Sequence, residues 1–336
     1  MKNKVSFGII GTGGIAADFC EALRDSPLCE VVSAVGSSPQ KSTAFCERFG
    51  LERPAATLTD LLSDATVDVV YVATPHPLHE AQTLACIEMG KHVLCEKPLT
   101  VDAASAERVV EAARLRGTFL LEAYMYRCHP LLDALLERLQ RGDIGQLRHI
   151  KADFGFRVPR DAKGRLFDLA QGGGGILDVG GYAMSFARLL AGVVTRQRFA
   201  EPTRLDAVGF KGPTGADEIS TAIIAFASGL TATLTCAVHH RVGTETVLYG
   251  ERGRIVLSDP WIPRGIRQGL QSSFSVLREG EDEEVVNIVT ARSTYALQAE
   301  LVAGVLPRLE APWPAMTWAD TLGNMRALDA WRACLT

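Results

Sequence analysis

The chain has 336 residues, 47% hydrophobic and 22% charged, with a formal net charge of −4. That length suits two domains of ordinary size, and near-neutral charge without a basic cluster argues against a nucleic-acid partner. Eight scattered cysteines with no Cys-x-x-Cys suggest small buried hydrophobes rather than a disulfide framework or metal site, and the lack of an apolar run suited to a signal core or membrane span points to the cytoplasm.

Residues 5–10 read as a strand that runs directly into Gly11-Thr12-Gly13-Gly14-Ile15-Ala16, with a helix expected over 16–25. This is the G-x-G-x-x-A form of the dinucleotide fingerprint. Gly11 permits the tight turn, Gly13 lets the backbone approach a pyrophosphate, and small Ala16 allows close helix–strand packing. The helix amino terminus then offers free N–H groups to phosphate. The second strand, 30–35, lacks the terminal Asp or Glu that often bonds the ribose of NAD. It continues into Gly36-Ser37-Ser38-Pro39-Gln40-Lys41. No acid there repels a 2′-phosphate, Ser37 and Ser38 can bond it, and Lys41 can neutralise it. NADP is therefore the expected cofactor, with NAD the alternative; a solvated turn with a helix cap is the bland reading of the same residues.

Helices over 40–49 and 58–62 lead to 67–73, a buried parallel strand by its length and β-branched content. It ends in Thr74-Pro75-His76-Pro77-Leu78-His79, read as a loop that lines a nicotinamide pocket and caps a helix over 79–89. His76 and His79 are three apart with no evident third ligand, so metal coordination is not expected. The next apolar run, Val93-Leu94-Cys95, stops at Glu96-Lys97-Pro98, because proline brings no backbone donor. A charged pair at the carboxyl end of a parallel strand lies where open α/β sheets bind ligands. A helix over 103–116 and a strand over 118–122 complete a doubly wound parallel sheet.

From about Tyr124 the alternation stops. A helix over 131–141 is followed by extended runs at 147–156, 204–210, 218–227, 230–240, 244–249, 254–258, 273–278 and 284–289. Ser228-Gly229 between two of them is a hairpin signal. The fold class is thus α/β, with a second α+β domain built on a large, mostly antiparallel, open-faced sheet. The domains expected are 1–123 and 124–336, closed by helices over 295–305 and 318–333. Set into the second domain is a glycine-rich segment, 171–182, leading into an apolar helix. On that helix Asp178 and Tyr182, four apart, share one face. Taken alone, Asp178 reads as a helix cap and Tyr182 as a core aromatic. His239 and His240, on a strand, would point to opposite faces and could not share a metal. Tyr124, Tyr126 and Arg127 offer hydroxyl and guanidinium donors beside aromatic rings, a combination suited to a sugar.

Together, the segments 11–16, Ala73-Thr74-Pro75-His76 and Glu96-Lys97-Pro98 resemble the glucose-fructose oxidoreductase and inositol dehydrogenase family (Gfo/Idh/MocA), over essentially the whole chain. The segment Glu122-Ala123-Tyr124-Met125-Tyr126-Arg127-Cys128-His129-Pro130 resembles the branch of dimeric dihydrodiol dehydrogenases and NADP-dependent xylose dehydrogenases. Tyr182, where many members have His, fits that branch. The resemblance implies a Rossmann domain whose cofactor contacts include Gly14, Ile15, Thr74, Pro75, His76, His79, Glu96 and Lys97. It implies C-terminal helices packed back near that domain and a homodimer through the C-terminal sheet. It also implies hydride transfer with a polyhydroxylated substrate, an aldose oxidised at C1 or a cyclic trans-diol. Tyr182 would carry the proton, although a tyrosine ordinarily titrates near ~10. The Lys97 ammonium would favour its phenolate and bond the substrate oxygen, and Asp178 would orient substrate or lysine. Lys97 as the proton carrier is the alternative. A sugar-nucleotide ketoreductase would use the same groups with a basic patch, for which Arg127, Arg157, Arg160 and Arg165 are candidates. A non-catalytic NADP-binding regulator is disfavoured by the joint presence of Lys97, Asp178 and Tyr182.

Overall fold

The computed structural model describes residues 4–159, 164–262 and 271–335, which fall into two units. Among them, 4–128 and 291–321 form the first unit, and 129–159, 164–262, 271–290 and 322–335 the second.

In the first unit, strands β1 (Val5–Ile10), β2 (Cys29–Val35), β3 (Arg53–Pro54), β4 (Val69–Val72), β5 (His92–Cys95) and β6 (Leu120–Glu122) form one sheet. They alternate with helices α1 (Gly14–Leu23), α2 (Pro39–Phe49), α3 (Leu58–Ser63), α4 (His79–Glu88) and α5 (Ala103–Arg116). Every pairing is parallel, in the order β3-β2-β1-β4-β5-β6. The order reverses between β1 and β4, and sheets of this kind bind ligands beyond the carboxyl ends of such strands. Val69–Val72 is wholly buried, which is why that run is apolar without alternation. Local chemistry sets the helix ends. Ser38 and Asp102 accept backbone N–H bonds at the heads of α2 and α5, and both helices stop on left-handed glycines, Gly50 and Gly117. Helix α1 begins two residues earlier than expected because Gly13 is its N-cap. The last three residues of the fingerprint are therefore its first turn.

The second unit holds α6 (Pro130–Arg141), β7 (Leu147–Gly155), α7 (Gly181–Val194), β8 (Pro202–Lys211), β9 (Asp217–Phe226), β10 (Thr231–Ala237), β11 (Thr246–Gly250), β12 (Gly253–Leu257), β13 (Gln271–Arg278) and β14 (Glu284–Val289). The eight strands form one sheet in the order β14-β13-β12-β11-β7-β10-β9-β8. Its pairs are antiparallel except β7 with β10. Strand β10 stops at Ala237, short of the expected His240, because its register mate Gly155 is the last residue of β7. The remaining helices are α8 (Thr294–Val305), in the first unit, and α9 (Trp318–Ala333), which begins in the first unit and continues in the second.

Helix α7 packs on one face of this sheet and is buried from Gly181 to Gly192. Pairing register puts Val208, Phe210, Ile223, Tyr249, Val285 and Val289 together on the other face. All six are exposed, Ile223 by 63%. Contrary to expectation, one helical stretch, Leu169–Val194, is long and apolar enough to cross a membrane. Its most apolar window is 94% buried within the protein, as a core helix would be. None of the eight cysteines forms a disulfide, and burial pushes the thiols of Cys20, Cys29 and Cys86 up to about 12.

Candidate active site

The fingerprint turn is shaped by close approach. Gly11 has φ +113°, and a Cβ there would lie 2.5 Å from the Ala73 carbonyl oxygen at the end of β4. A Cβ on Gly13 or Gly14 would meet nothing within 4 Å, so the head of α1 opens onto free space. No side chain caps that helix and no acid lies in its first turn. Its N–H groups are therefore available to a phosphate, beside Thr12 and the half-exposed Ile15. Thr12 also lies against Gly36, where an added Cβ would sit 3.1 Å from its Oγ1 and 3.0 Å from Lys41 Cβ. That contact brings the turn after β2 to the fingerprint. Within the turn Lys41 Nζ donates to Ser37 Oγ at 3.0 Å, and Ser38 Oγ caps α2 through Lys41 N. These residues suit the pyrophosphate and ribose end of a dinucleotide.

The loops after β4 and β5 are braced to each other. Thr74 Oγ1 donates to Gln82 Oε1 at 2.6 Å, and the buried His76 follows Pro75 into a 3-10 turn whose other residues, Pro77 and Leu78, are exposed. The two ring nitrogens of His79 lie 2.8 Å from the carbonyl oxygens of Thr74 and Pro98. His79 is wholly buried, so it ties the Thr74-Pro75-His76 loop to the Glu96-Lys97-Pro98 loop from beneath. Glu96 is fixed by Tyr71 Oη, which donates to its Oε1 at 2.5 Å, and Tyr71 stacks on Phe19 with ring centroids 4.0 Å apart. Lys97 is half-buried at the mouth of that loop.

Three expected substrate contacts prove to be interior. Tyr124, Tyr126 and Arg127 are all buried, Arg127 to 2% exposure, around a 3-10 turn (Met125–Cys128) against which α8 packs. The two tyrosines meet edge to face at 6.4 Å. Arg127 pairs with Asp320 at 2.6 Å and donates through Nε to the Pro314 carbonyl at 2.6 Å. A guanidinium so placed serves packing and an internal ion pair.

In the second unit the glycine segment is clamped from two sides. On one, a Cβ at Gly173 would lie 2.5 Å from the Arg165 carbonyl oxygen. On the other, Gly174 has φ +117°, and a Cβ there would fall 2.1 Å from Asp217 Oδ1. Asp217 Oδ2 accepts from Ile176 N at 2.7 Å, so the helix cap is Asp217 and not Asp178. Burial pushes the Asp217 carboxyl up to about 6, against the lowering effect of the N–H groups of Ile176 and Gly175. Residues Ile176–Gly180 form one π-helical turn before α7, a widening common at functional sites. It carries Asp178, 5% exposed, whose Oδ1 accepts from Arg165 Nη2 at 2.5 Å. Tyr182, at the head of α7, is also 5% exposed. Its ring meets Phe154 edge to face at 5.2 Å and Trp261 at 6.4 Å.

His239 lies beyond the end of β10, with Nδ1 2.7 Å from the Val158 carbonyl oxygen and its ring 5.2 Å from that of His240. The expected placement on opposite strand faces is thus corrected. Arg157 is exposed, and Arg160 lies outside the described residues. Sequence reasoning missed Asp217, the pairing of Tyr71 with Glu96 and the pairing of Arg165 with Asp178. The glycine run was the only signal for the first and third, since glycine in series marks close backbone approach.

Comparison with known proteins finds two family matches. Residues 5–124 match the oxidoreductase family, NAD-binding Rossmann fold, and residues 132–256 match the GFO/IDH/MocA C-terminal domain. The trans-1,2-dihydrobenzene-1,2-diol dehydrogenase of Mus musculus is 32% identical over 287 residues, covering 84% of this chain and 83% of that protein. The Bos taurus enzyme of the same name is 34% identical over 260 residues, 76% and 75% of the two chains. Among solved structures, a 3-ketoreductase from Actinomadura kijaniata in complex with NADP and TDP-benzene superposes with a TM-score of 0.85 at 28% identity, covering 99% of this chain and 98% of that one. An aldose-aldose oxidoreductase from Caulobacter crescentus shares the fold, with a TM-score of 0.84 at 22% identity over 98% and 97% of the chains.

Proposed function

The chain belongs to the Gfo/Idh/MocA oxidoreductases, with an NAD(P)-binding Rossmann domain, and we propose that it is an NADP-dependent dehydrogenase of polyhydroxylated substrates. The substrate is an aldose oxidised at C1 or a cyclic trans-diol, the latter in line with the dihydrodiol dehydrogenases it resembles. The observation that carries the cofactor choice is the turn after β2. Ser37 and Lys41 are already bonded to each other there, and residues 36–41 include no carboxylate.

The fingerprint turn and the Ser37–Lys41 turn would hold NADP+, which would supply the hydride acceptor for the substrate carbon. The protein's part is to hold the substrate and manage one proton. Tyr182 takes the hydroxyl proton, and Lys97 bonds the substrate oxygen. Asp178 orients the substrate. Glu96, held by Tyr71, would contact the nicotinamide ribose or carboxamide. The open sheet face bearing the exposed Val208, Phe210 and Ile223 supports a homodimer formed through it, since exposed apolar side chains gathered on a sheet call for cover.

A second reading, a sugar-nucleotide ketoreductase, is favoured by the likeness to the Actinomadura enzyme, with exposed Arg157 available to a diphosphate. Initial rates with NADP+ and NAD+ across free pentoses, hexoses, cyclic diols and nucleotide-linked sugars separate the two. Rates on free aldoses or diols are expected. A rate confined to nucleotide-linked sugars promotes the ketoreductase, and none on any substrate beside tight NADP binding indicates the regulator.

A further inference from the structure

The ion pair between Arg165 and Asp178 uses half of a guanidinium. Nη2 donates to Asp178 Oδ1 at 2.5 Å, whereas Nη1 is buried and has no hydrogen-bond partner among the described residues. A buried donor left unmade is costly, so such groups are ordinarily paired. The planar fork places Nη1 beside Nη2, so an oxygen bonded to Nη1 lies next to the Asp178 carboxylate.

The backbone around this pair is built rather than incidental. The 3-10 turn Arg165–Phe167 is pinned to the glycine segment by the bonds Gly174 N to Leu166 O and Gly173 N to Asp168 O, both 2.9 Å. Only glycine at 173 lets the Arg165 carbonyl come so near. Phe167 packs edge to face on His239 at 5.8 Å, and His239 is itself held by the Val158 carbonyl. The turn that carries Arg165 is thus fixed at both ends of the contact.

We propose that Arg165 is a specificity-determining residue that reads a vicinal diol: Nη2 holds Asp178 while Nη1 donates to the substrate hydroxyl next to the one Asp178 accepts. A carboxylate acceptor and a guanidinium donor side by side match two neighbouring hydroxyls, one giving its hydrogen and the other receiving one. The assignment rests on the proposed function for the identity of the substrate. For an aldose oxidised at C1, the hydroxyl that Nη1 reads is at C2 and the one that donates to Asp178 is at C3, which leaves the C1 hydroxyl proton to Tyr182. Lysine at this position would keep a charge beside Asp178, but its single ammonium cannot span both partners as the fork does.

The test is calorimetric titration of the full-length protein, saturated with NADPH so that no oxidation follows, with D-glucose and 2-deoxy-D-glucose. The wild type should bind glucose about tenfold more tightly than its deoxy analogue, the scale of a hydrogen bond to a charged group. In Arg165→Lys and Arg165→Met the ratio should fall towards one, with glucose weakened and the deoxy sugar little changed. A wild type that does not distinguish the sugars overturns the assignment without any variant. A ratio that survives in variants that melt as the wild type does also overturns it. Expected binding ratios without turnover of any free sugar reject the aldose reading and leave Arg165 standing. If no vicinal diol binds, both fail.

Discussion

Replacing Asp217 with Asn tests whether the glycine segment is sealed from water. The carboxylate lies beneath Gly174, accepts from Ile176 N at 2.7 Å, and is raised by burial from 3.8 to about 6. In the unfolded chain it reverts to its ordinary value. Between those two values the folded state holds a proton that the unfolded state has released, so stability contributed by this group rises as pH falls. The full difference is about 3 kcal/mol, at 1.36 kcal/mol for each pH unit of separation. Over the window from pH 7 to pH 5 the linkage relation yields about 1 kcal/mol of that. Asparagine keeps an oxygen for Ile176 N and cannot titrate. Urea unfolding of both proteins at pH 7 and pH 5 should show wild type gaining about 1 kcal/mol relative to Asp217→Asn on acidification. Other groups act in the same window: burial lowers His129 to about 4, which acts in the opposite direction. Such contributions are common to both proteins and cancel in the difference. A wild-type-minus-variant stability that does not change with pH would show that Asp217 ionises as an exposed carboxyl does, and the clamp on the glycine segment would be refuted.

Four further outcomes are expected. Tyr182→Phe should lower turnover by at least ~10²-fold, the usual scale for a lost general acid–base group, with the NADP+ dissociation constant unchanged; near-normal turnover would pass the proton to Lys97. Lys41→Ala should weaken NADPH by about tenfold and leave NADH nearly unaffected, because only NADPH carries the 2′-phosphate; equal losses for the two cofactors would remove the NADP preference. Arg127→Met should destabilise the protein by about 3–5 kcal/mol by stranding the buried Asp320, read as a lowered Tm, and the double variant with Asp320→Leu should recover most of it. Ile223→Glu, on the exposed sheet face, should convert a particle of about twice the 36.2 kDa chain mass into a monomer by light scattering; a wild type that is already monomeric would contradict the homodimer.

The parts of this protein that its sequence displays are those fixed by neighbours along the chain. The caps at Ser38 and Asp102 depend on residues within one element and its flank, and the fingerprint turn, though shaped also by the approach of Ala73, shows in its own glycines. The extended runs of the second half were legible for the same reason, their ends less so. A strand lasts as long as its partner does, and β10 ends at Ala237 because β7 has run out at Gly155. The ion pair of Arg127 is not legible, because nothing within its own segment announces Asp320, 193 residues away. The donors and rings that make a segment look suited to a sugar are the same ones that satisfy a buried ion pair. Sequence composition does not separate the two.

Asp178 shows a different limit. Its neighbours are close in sequence, Arg165 at 13 residues and Tyr182 at 4, yet their relation was not readable from spacing. Four residues on a regular α-helix place two side chains about 40° apart around the axis. The π-helical turn over Ile176–Gly180 widens the helix at that point, so the relation of Asp178 to Tyr182 is not the one that regular α-helical spacing dictates. What sets the turn is the clamp on Gly173 and Gly174 by the Arg165 turn and Asp217, an arrangement of backbone approach that leaves glycine as its only trace in the sequence. The four glycines before Asp178 are thus better read as the footprint of two absent side-chain volumes than as flexibility. On this reading alanine at 173 or 174 should disturb Asp178 more than substitution of Arg165 itself, because it displaces the turn and the cap together.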